Sequence, residues 1–170
     1  MQTSIENTQD AAPSPGVIGD LAPHYIRSYT NQEASAEIPF GVLVVQATDP
    51  DDGCKLPVAA AMPLGVVVHS HAYSYPGQLG DTGLKPGVTM GVMRQGVIWV
   101  TVEDAVTPDD AVRVRLTAGV GEQQGAFRTA QDSTDCAVVA GCQFLTAAGA
   151  GDIAQLQVDM TKVAVLTADT

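Results

Sequence analysis

Short runs of apolar residues, separated by turn-forming residues, predict a chain built of β-strands. The clearest run is residues 97–102, in which every side chain is β-branched or aromatic. Such side chains fit a pleated surface, because their stiff, branched Cβ atoms pack well across neighbouring strands. A second run, residues 111–116, alternates between apolar residues and arginines, as expected for a strand with one buried face. The apolar face of this second run consists of Val112, Val114 and Leu116, and its polar face of Arg113 and Arg115.

Turn signals around these two runs predict an antiparallel meander of three strands. Residues 87–93 form an apolar run, and the Arg-Gln-Gly sequence at 94–96 predicts a turn directly after it. The Thr-Pro-Asp-Asp sequence at residues 107–110 predicts the next turn. Within the middle strand of this meander we expect Trp99 to be a buried core residue.

Similar apolar runs recur along the rest of the chain at regular spacing. They predict further strands at residues 42–46, 54–57, 64–69, 125–130, 136–140, 143–146, 153–160 and 163–166. Residues 74–86 are rich in Gly and Pro, which predicts a long loop. About ten short strands at such spacing indicate an all-β fold, either a small β-barrel or a sandwich with mostly antiparallel pairing.

The first 37 residues differ in composition from the rest of the chain. They are rich in Gln, Asn, Thr, Ser, Ala and Pro, and Pro13, Pro15 and Pro23 are spaced so that no helix would persist. We therefore predict two parts: an extended N-terminal arm at residues 1–37 and a β-barrel or sandwich domain at residues 38–170.

An apolar cluster in this arm, Tyr25, Ile26 and Tyr29, is unusual for a purely solvated segment. Aromatic and aliphatic groups of this kind are common anchors at protein interfaces. We expect the three residues to bind a partner, with the arm loose in the free protein and ordered on an adjacent subunit or surface. A chain without residues 1–30 is then expected to keep a barrel that melts cooperatively.

The charge balance narrows the range of partners. The net charge is −11, from 8 basic and 19 acidic residues. Binding to nucleic-acid phosphates needs clustered Lys and Arg, and an anionic membrane surface also attracts basic segments. We therefore expect neither nucleic acid nor membrane as a partner. The acidity suits a solvated outer surface.

Three cysteines, Cys54, Cys136 and Cys142, form no CxxC pair, and their odd number favours reduced thiols in a protein made in a reducing cytosol. The N-terminus lacks the basic region and apolar core of a signal peptide. No run of the sequence reaches the ~18 apolar residues of a membrane span.

Two groups of residues are candidates for metal binding. On a strand, His69 and His71 would point to one face, so both imidazoles could ligate one metal ion, but a site needs a third ligand. The acidic run Asp49, Asp51 and Asp52 resembles a calcium loop, but Pro50 and the lack of a distal Glu break that pattern. We favour a strand end for the first group and a turn for the second, and we predict no catalytic residue, metal or cofactor.

The order of features along the chain resembles the structural cement, or capsid decoration, proteins of tailed bacteriophages. The resemblance covers about residues 38–160. Its most specific parts are GVIWVTVEDAVTPDDAVRVR at residues 96–115 and FLTAAGAGD at residues 144–152. Both are structural signatures, so the resemblance brings no catalytic residues with it.

The resemblance implies a structural virion protein rather than an enzyme. Such a protein is made in the host cytoplasm, binds the outside of the capsid as a homotrimer, and cements contacts between subunits of the major capsid protein. Two alternatives stay open at this point. One is a metal-dependent β-barrel enzyme using His69 and His71, which metal analysis would test. The other is a tail or fibre module of the virion.

Overall fold

The computed structural model of the chain describes residues 13–20, 23–70, 77–161 and 165–169. Within these ranges the chain forms ten β-strands and one turn of 3₁₀ helix at Ser133–Asp135. The strands are β1 (Tyr25–Asn31), β2 (Leu43–Gln46), β3 (Gly53–Lys55), β4 (Pro63–Val67), β5 (Thr89–Thr101), β6 (Arg113–Arg115), β7 (Phe127–Arg128), β8 (Cys136–Val138), β9 (Cys142–Phe144) and β10 (Ile153–Asp159). The prediction of an all-β fold made of short strands is confirmed.

Five of these strands close into a small barrel. Their order is β1-β3-β2-β4-β5, and a further pairing between β1 and β5 completes the ring. The β1–β3 pair is parallel, and the other pairs in the ring are antiparallel. Strands β10 and β9 extend the same sheet from the second half of β5. Closure pairs both edges of each barrel strand, which limits unwanted pairing with other chains.

The longest strand, β5, corrects one prediction made from the sequence. It is continuous over 13 residues, so the predicted turn at residues 94–96 is wrong. Gly96, with φ of 139°, lies inside this strand and does not reverse the chain. The first half of β5 pairs with β1 and β4 in the barrel, and the second half pairs with β10. The apolar runs on both sides of Gly96 therefore belong to one strand that pairs with two parts of the sheet.

A separate three-stranded sheet in the order β7-β6-β8 follows β5 in the chain. The predicted three-strand meander is wrong, because β6 pairs with β7 and β8 and not with β5. The predicted apolar face of this region is confirmed, since Val112, Val114 and Leu116 are all buried. A parallel bridge between Val102 and Phe127 connects this sheet to the chain directly after β5.

The two sheets share one hydrophobic core. A single cluster of buried side chains contains Val100 and Phe144 from the large sheet together with Val114 and Phe127 from the small one. A second, smaller cluster fills another part of the barrel, and it includes Tyr29 of β1. The shared cluster fixes the position of the small sheet against the large one, because separating them would expose these side chains to water.

Trp99 is not a fully buried core residue, contrary to the prediction. The buried residues beside it in β5 are Ile98 and Val100, each 0% exposed, and Trp99 on the opposite face is half-buried. The N-terminal segment runs along this part of β5: Gly16 N donates to Trp99 O at 2.7 Å, and Trp99 N donates to Val17 O at 2.9 Å. The β-branched composition of the run predicted the strand but not which of its faces is buried.

The described part of the predicted arm lies against the barrel. Ile18 forms an antiparallel bridge with Ile98, and residues 25–31 are the wall strand β1. This strand pairs with β3 on one side and β5 on the other. The division of the chain into two parts at residue 37 stays a prediction.

Candidate functional site

The three arm residues predicted to bind a partner lie on β1, but they differ in exposure. Tyr25 is 48% exposed and Tyr29 only 2% exposed, while Ile26 is half-buried against the main core cluster. The Arg27 guanidinium lies 5.3 Å from the centre of the Tyr29 ring. Tyr25 therefore offers most of the exposed surface of this set. The partner-binding role of the three residues stays a prediction.

The structure describes one of the two candidate metal-binding histidines. The His69 ring packs on Phe40, with the ring centres 4.7 Å apart, and its backbone N donates to Gly16 O at 2.8 Å. His71 lies outside the described residues. Among the described residues, no group of three or more His, Cys, Asp and Glu side chains is arranged to hold a metal ion.

The acidic run at residues 49–52 forms a turn. Asp51 N donates to Asp49 Oδ1 at 3.0 Å, an arrangement in which an Asp side chain replaces a backbone acceptor in a turn. Gln46 Nε2 donates to Pro50 O at 3.0 Å, and Arg27 donates to Asp51 O at 2.7 Å. These bonds tie the turn to β1 and β2, which agrees with the interpretation of this run as a turn.

A network of ion pairs around two arginines of the small sheet was not predicted from the sequence. We call it the Arg115 network, and it comprises Glu103, Asp104, Arg115, Glu122, Arg128 and Asp132. Its centre is Arg115, whose side chain is 3% exposed although the alternation in β6 placed it on a polar face. The Arg115 Nε donates to both oxygens of Glu103, at 2.8 and 2.9 Å.

Two further carboxylates complete the shell around Arg115. Its terminal nitrogens lie 2.8 Å from Glu122 and 3.2 Å from Asp132. Burial alone disfavours the charged guanidinium, but the hydrogen bonds and charges of these carboxylates outweigh that effect and raise the pKa of Arg115. Arg128 joins the same network through Glu103 and Asp132, each at 3.2 Å. The acidic residues near both arginines in the sequence were the available signal for this network, but their spacing did not show which of them meet.

A cavity of about 550 Å³ opens beside the Arg115 network. Its lining includes Pro15, Phe40, Val42, Glu122 and Ala126 together with parts of the network. The N-terminal segment, the barrel and the loop before β7 thus all contribute to one concave surface. The side chains in it form no nucleophile–base pair of the kind that covalent catalysis uses.

The three cysteines are free thiols, with Cys54 and Cys136 buried and Cys142 half-buried. Burial, and to a smaller extent the nearby Glu33 carboxylate, raises the pKa of the Cys54 thiol to about 12. Burial also raises the pKa of Cys136 and of Cys142. A thiol with a raised pKa is a poor nucleophile near neutral pH, because the thiolate is the reactive form.

Within the described ranges, no helical segment has the length and apolar character needed to cross a bilayer.

Comparison with protein families gives one match that spans nearly the whole chain. The family is described as structural cement protein (E217 gp24/Pam3 gp6) of phages, and its model matches residues 1–159. The chain belongs to this family. The resemblance noted in the sequence is therefore confirmed, and the matched region also includes the N-terminal segment that the sequence motifs left out.

A solved structure has the same fold as this cement protein. It is a chain from the capsid of Myoviridae phage XM1, with a TM-score of 0.65 and 19% sequence identity. The alignment covers 94% of the cement protein chain and 98% of the capsid chain. The comparison with curated proteins found no match.

Family membership places the cement protein among structural components of phage particles. The sequence motifs that indicated this family, at residues 96–115 and 144–152, lie in β5, in the small sheet and in the turn before β10. The surfaces described above, namely Tyr25, the Arg115 network and the cavity, are the candidate contact surfaces of the cement protein.

Proposed function

We propose that the protein binds the outer surface of the capsid and cements contacts between neighbouring subunits of the major capsid protein. The observation that carries this proposal is the cement family match over residues 1–159. A ligand that binds only the assembled shell stabilises that shell by mass action. Rupture must then break the added contacts as well as those between the capsid subunits.

The structure supports a role in contact. The closed barrel and the shared core give a rigid scaffold, and several apolar side chains are exposed on its surface. Those side chains are Tyr25, Val58, Met62, Val120, Val138, Leu145 and Val165. Exposed apolar groups are common on soluble proteins, but they also supply the buried centre of an interface when a partner covers them.

The partners follow from the family and from the charge. We assign the major capsid protein as the partner, a homotrimer as the assembled form, and the capsid exterior as the location after synthesis in the host cytoplasm. The net charge of −11 opposes binding to nucleic acid and to anionic membranes. The protein acts without catalysis and without a metal or cofactor.

The predicted anchors on β1 have separate parts in this function. Tyr25 provides exposed aromatic surface for the capsid, and half-buried Ile26 borders it. Tyr29 lies in the chain's own core and holds β1 in the barrel wall, so that the position of Tyr25 is fixed before binding. A fixed anchor loses less conformational entropy on binding than a mobile one.

Particles that lack the protein provide the test. Purified full-length protein is added to them, and particle-bound protein is measured together with the temperature at which the shells release their DNA. We expect saturable binding and a higher release temperature. Sedimentation of the free and the released protein measures the trimer. If the protein does not bind these shells, or binds without raising the release temperature, it does not act as a cement.

A further inference from the structure

Among the described residues, the Nε of Arg94 is the one buried side-chain nitrogen or oxygen that has no hydrogen-bond partner. Its Nε is enclosed by protein and donates to nothing among the described residues. The four other arginines of the chain all have partners: Arg113, Arg115 and Arg128 pair with carboxylates, and Arg27 donates to a backbone oxygen. In a chain with 19 acidic and 8 basic residues, an arginine without a carboxylate needs an explanation.

The position of Arg94 places it beside Tyr25. In the β1–β5 pairing, Tyr25 is opposite Gln95 and Ile26 is opposite Met93, so Arg94 is the extra residue of a bulge. Bulges change the direction in which a side chain points and are common next to functional sites. The exposed Tyr25 ring and the half-buried Arg94 therefore belong to the same part of the barrel surface.

A carboxylate on the neighbouring strand, close to Arg94 in the pairing register, has other partners. Asp159 of β10 is opposite Gln95, next to Arg94 in sequence. Its Oδ1 accepts hydrogen bonds from Thr161 N at 3.1 Å and from Thr161 Oγ1 at 2.5 Å. A carboxylate this close by would be the expected partner of Arg94, but no ion pair between the two is found. Among the described residues, the Arg94 guanidinium thus has no ion-pair partner.

We propose that Arg94 and Tyr25 together form a contact point for a carboxylate of the major capsid protein. The inference rests on the function proposed above and names the chemistry of one capsid group. A guanidinium presents a planar fork of N–H donors that matches a carboxylate. Because the Nε is enclosed by the protein, the capsid carboxylate binds the outer N–H groups of this half-buried side chain. Tyrosine and arginine are also the residue types most common among strong interface contacts.

The test compares three variants on capsids that lack the protein. Arg94→Met keeps the apolar stem and removes the charge, and Arg94→Lys keeps the charge without the fork. Lys85→Met, in the loop before β5, is the matched control because it lowers the net charge by the same amount. We expect Arg94→Met to bind about 10- to 100-fold more weakly, Arg94→Lys to be intermediate, and Lys85→Met to bind as the unchanged protein does.

Two further measurements separate a contact role from a structural one. Arg94→Met is expected to unfold at the same temperature as the unchanged protein or higher, because Arg94 makes no bond that the variant loses. Its binding defect is expected to shrink at high salt, which screens an ion pair.

A clear loss of stability, or equal binding by Arg94→Met and Lys85→Met, overturns the inference. So does a change in the oligomeric state of free Arg94→Met, since the contact would then lie between copies of this chain. If the unchanged protein itself fails to bind the shells, the proposed function fails instead.

Discussion

At the scale of single residues, Arg115 shows how a charged group is kept in the interior. Its side chain is 3% exposed and is surrounded by Glu103, Glu122 and Asp132. Removing one partner of a buried ion pair leaves the others desolvated without compensation, at a cost of about 3–5 kcal/mol. We therefore expect Arg115→Ala to lower the free energy of unfolding by about that amount, measured by urea denaturation.

The control for this prediction lies on the same strand. Arg113 is 20% exposed and pairs with the single carboxylate of Asp169, at 2.9 Å. Arg113→Ala should cost clearly less than Arg115→Ala, because water can replace part of its interaction. Similar losses for the two variants would mean that the Arg115 network contributes no more than a surface ion pair.

The buried thiols give a prediction about pH. Burial raises the pKa of Cys54 to about 12 from its ordinary value of 9.0. Below pH 9 the thiol is neutral in both the folded and the unfolded chain, and its effect on stability is constant. Above pH 9 only the unfolded chain releases the proton, so stability falls as pH rises, by about 1.4 kcal/mol per pH unit for each such thiol.

Urea denaturation between pH 7 and pH 11 tests this dependence. Above about pH 9, the free energy of unfolding should fall less steeply with pH for Cys54→Ala than for the unchanged protein. The small cavity that the substitution leaves lowers the stability of the variant but does not change this slope. Since Cys136 and Cys142 have raised pKa values too, some of the slope should persist in the variant. Parallel curves for the two proteins would show that Cys54 ionises equally in the folded and unfolded chains.

At the scale of elements, the sequence predicted where strands lie better than how they pair. Most of the predicted apolar runs became a strand or part of one, because β-branched residues favour extended backbone whatever their neighbours are. The strand predicted at residues 163–166 is wrong in its described part, since residues 165 and 166 belong to no strand. Pairing depends on contacts between residues far apart in the chain, which a single sequence does not display. Gly96 shows the limit: Gly suits a turn as well as a bend within a strand, and only the pairing with β10 and β1 distinguishes the two.

Gly65 in β4 lies so close to β5 that a larger residue does not fit there. A Cβ at this position would collide with the carbonyl oxygen of Met93 in β5, which is backbone and is held by its own pairing. Gly65→Ala must therefore separate β4 from β5, and we expect a loss of several kcal/mol, on the order of an overpacked core site.

Gly91 is the matched control for Gly65. It lies in β5, and a Cβ there would come no closer than 3.3 Å to the Ile26 side chain, which has some freedom to move. Gly91→Ala should change the free energy of unfolding by less than about 1 kcal/mol. Thermal unfolding of Gly65→Ala and Gly91→Ala measures the difference between the two sites. Equal unfolding midpoints would mean that β4 and β5 do not approach closely at Gly65.

At the scale of the whole molecule, the order of strands around the barrel could not be predicted from the sequence. The strand that completes the ring, β1, comes from the segment whose polar and Pro-rich composition indicated an arm. The signal was present in Tyr25, Ile26 and Tyr29, because the spacing of Tyr25 and Tyr29 suits one face of a strand. Tyr29 nonetheless contacts the interior while Tyr25 is exposed, since a register shift separates Tyr25 from the rest of β1.

The last prediction separates the two possible roles of this segment, closing the barrel and binding the capsid. Deleting residues 1–30 removes all but the last residue of β1 and leaves β3 and the first half of β5 each with one unpaired edge. Because the barrel then has two open edges and a gap in its core at Tyr29, we expect the shortened chain to lose its cooperative unfolding transition.

Tyr25→Ser keeps every backbone bond of β1 and removes only an exposed ring, so it should unfold as the unchanged protein does but bind capsids more weakly. Calorimetry and a particle-binding assay on both proteins measure these outcomes. Cooperative melting of the shortened chain would show that residues 1–30 are an arm separate from the barrel, as their composition suggests. Undiminished binding by Tyr25→Ser would remove Tyr25 from the capsid contact and leave β1 a purely structural strand.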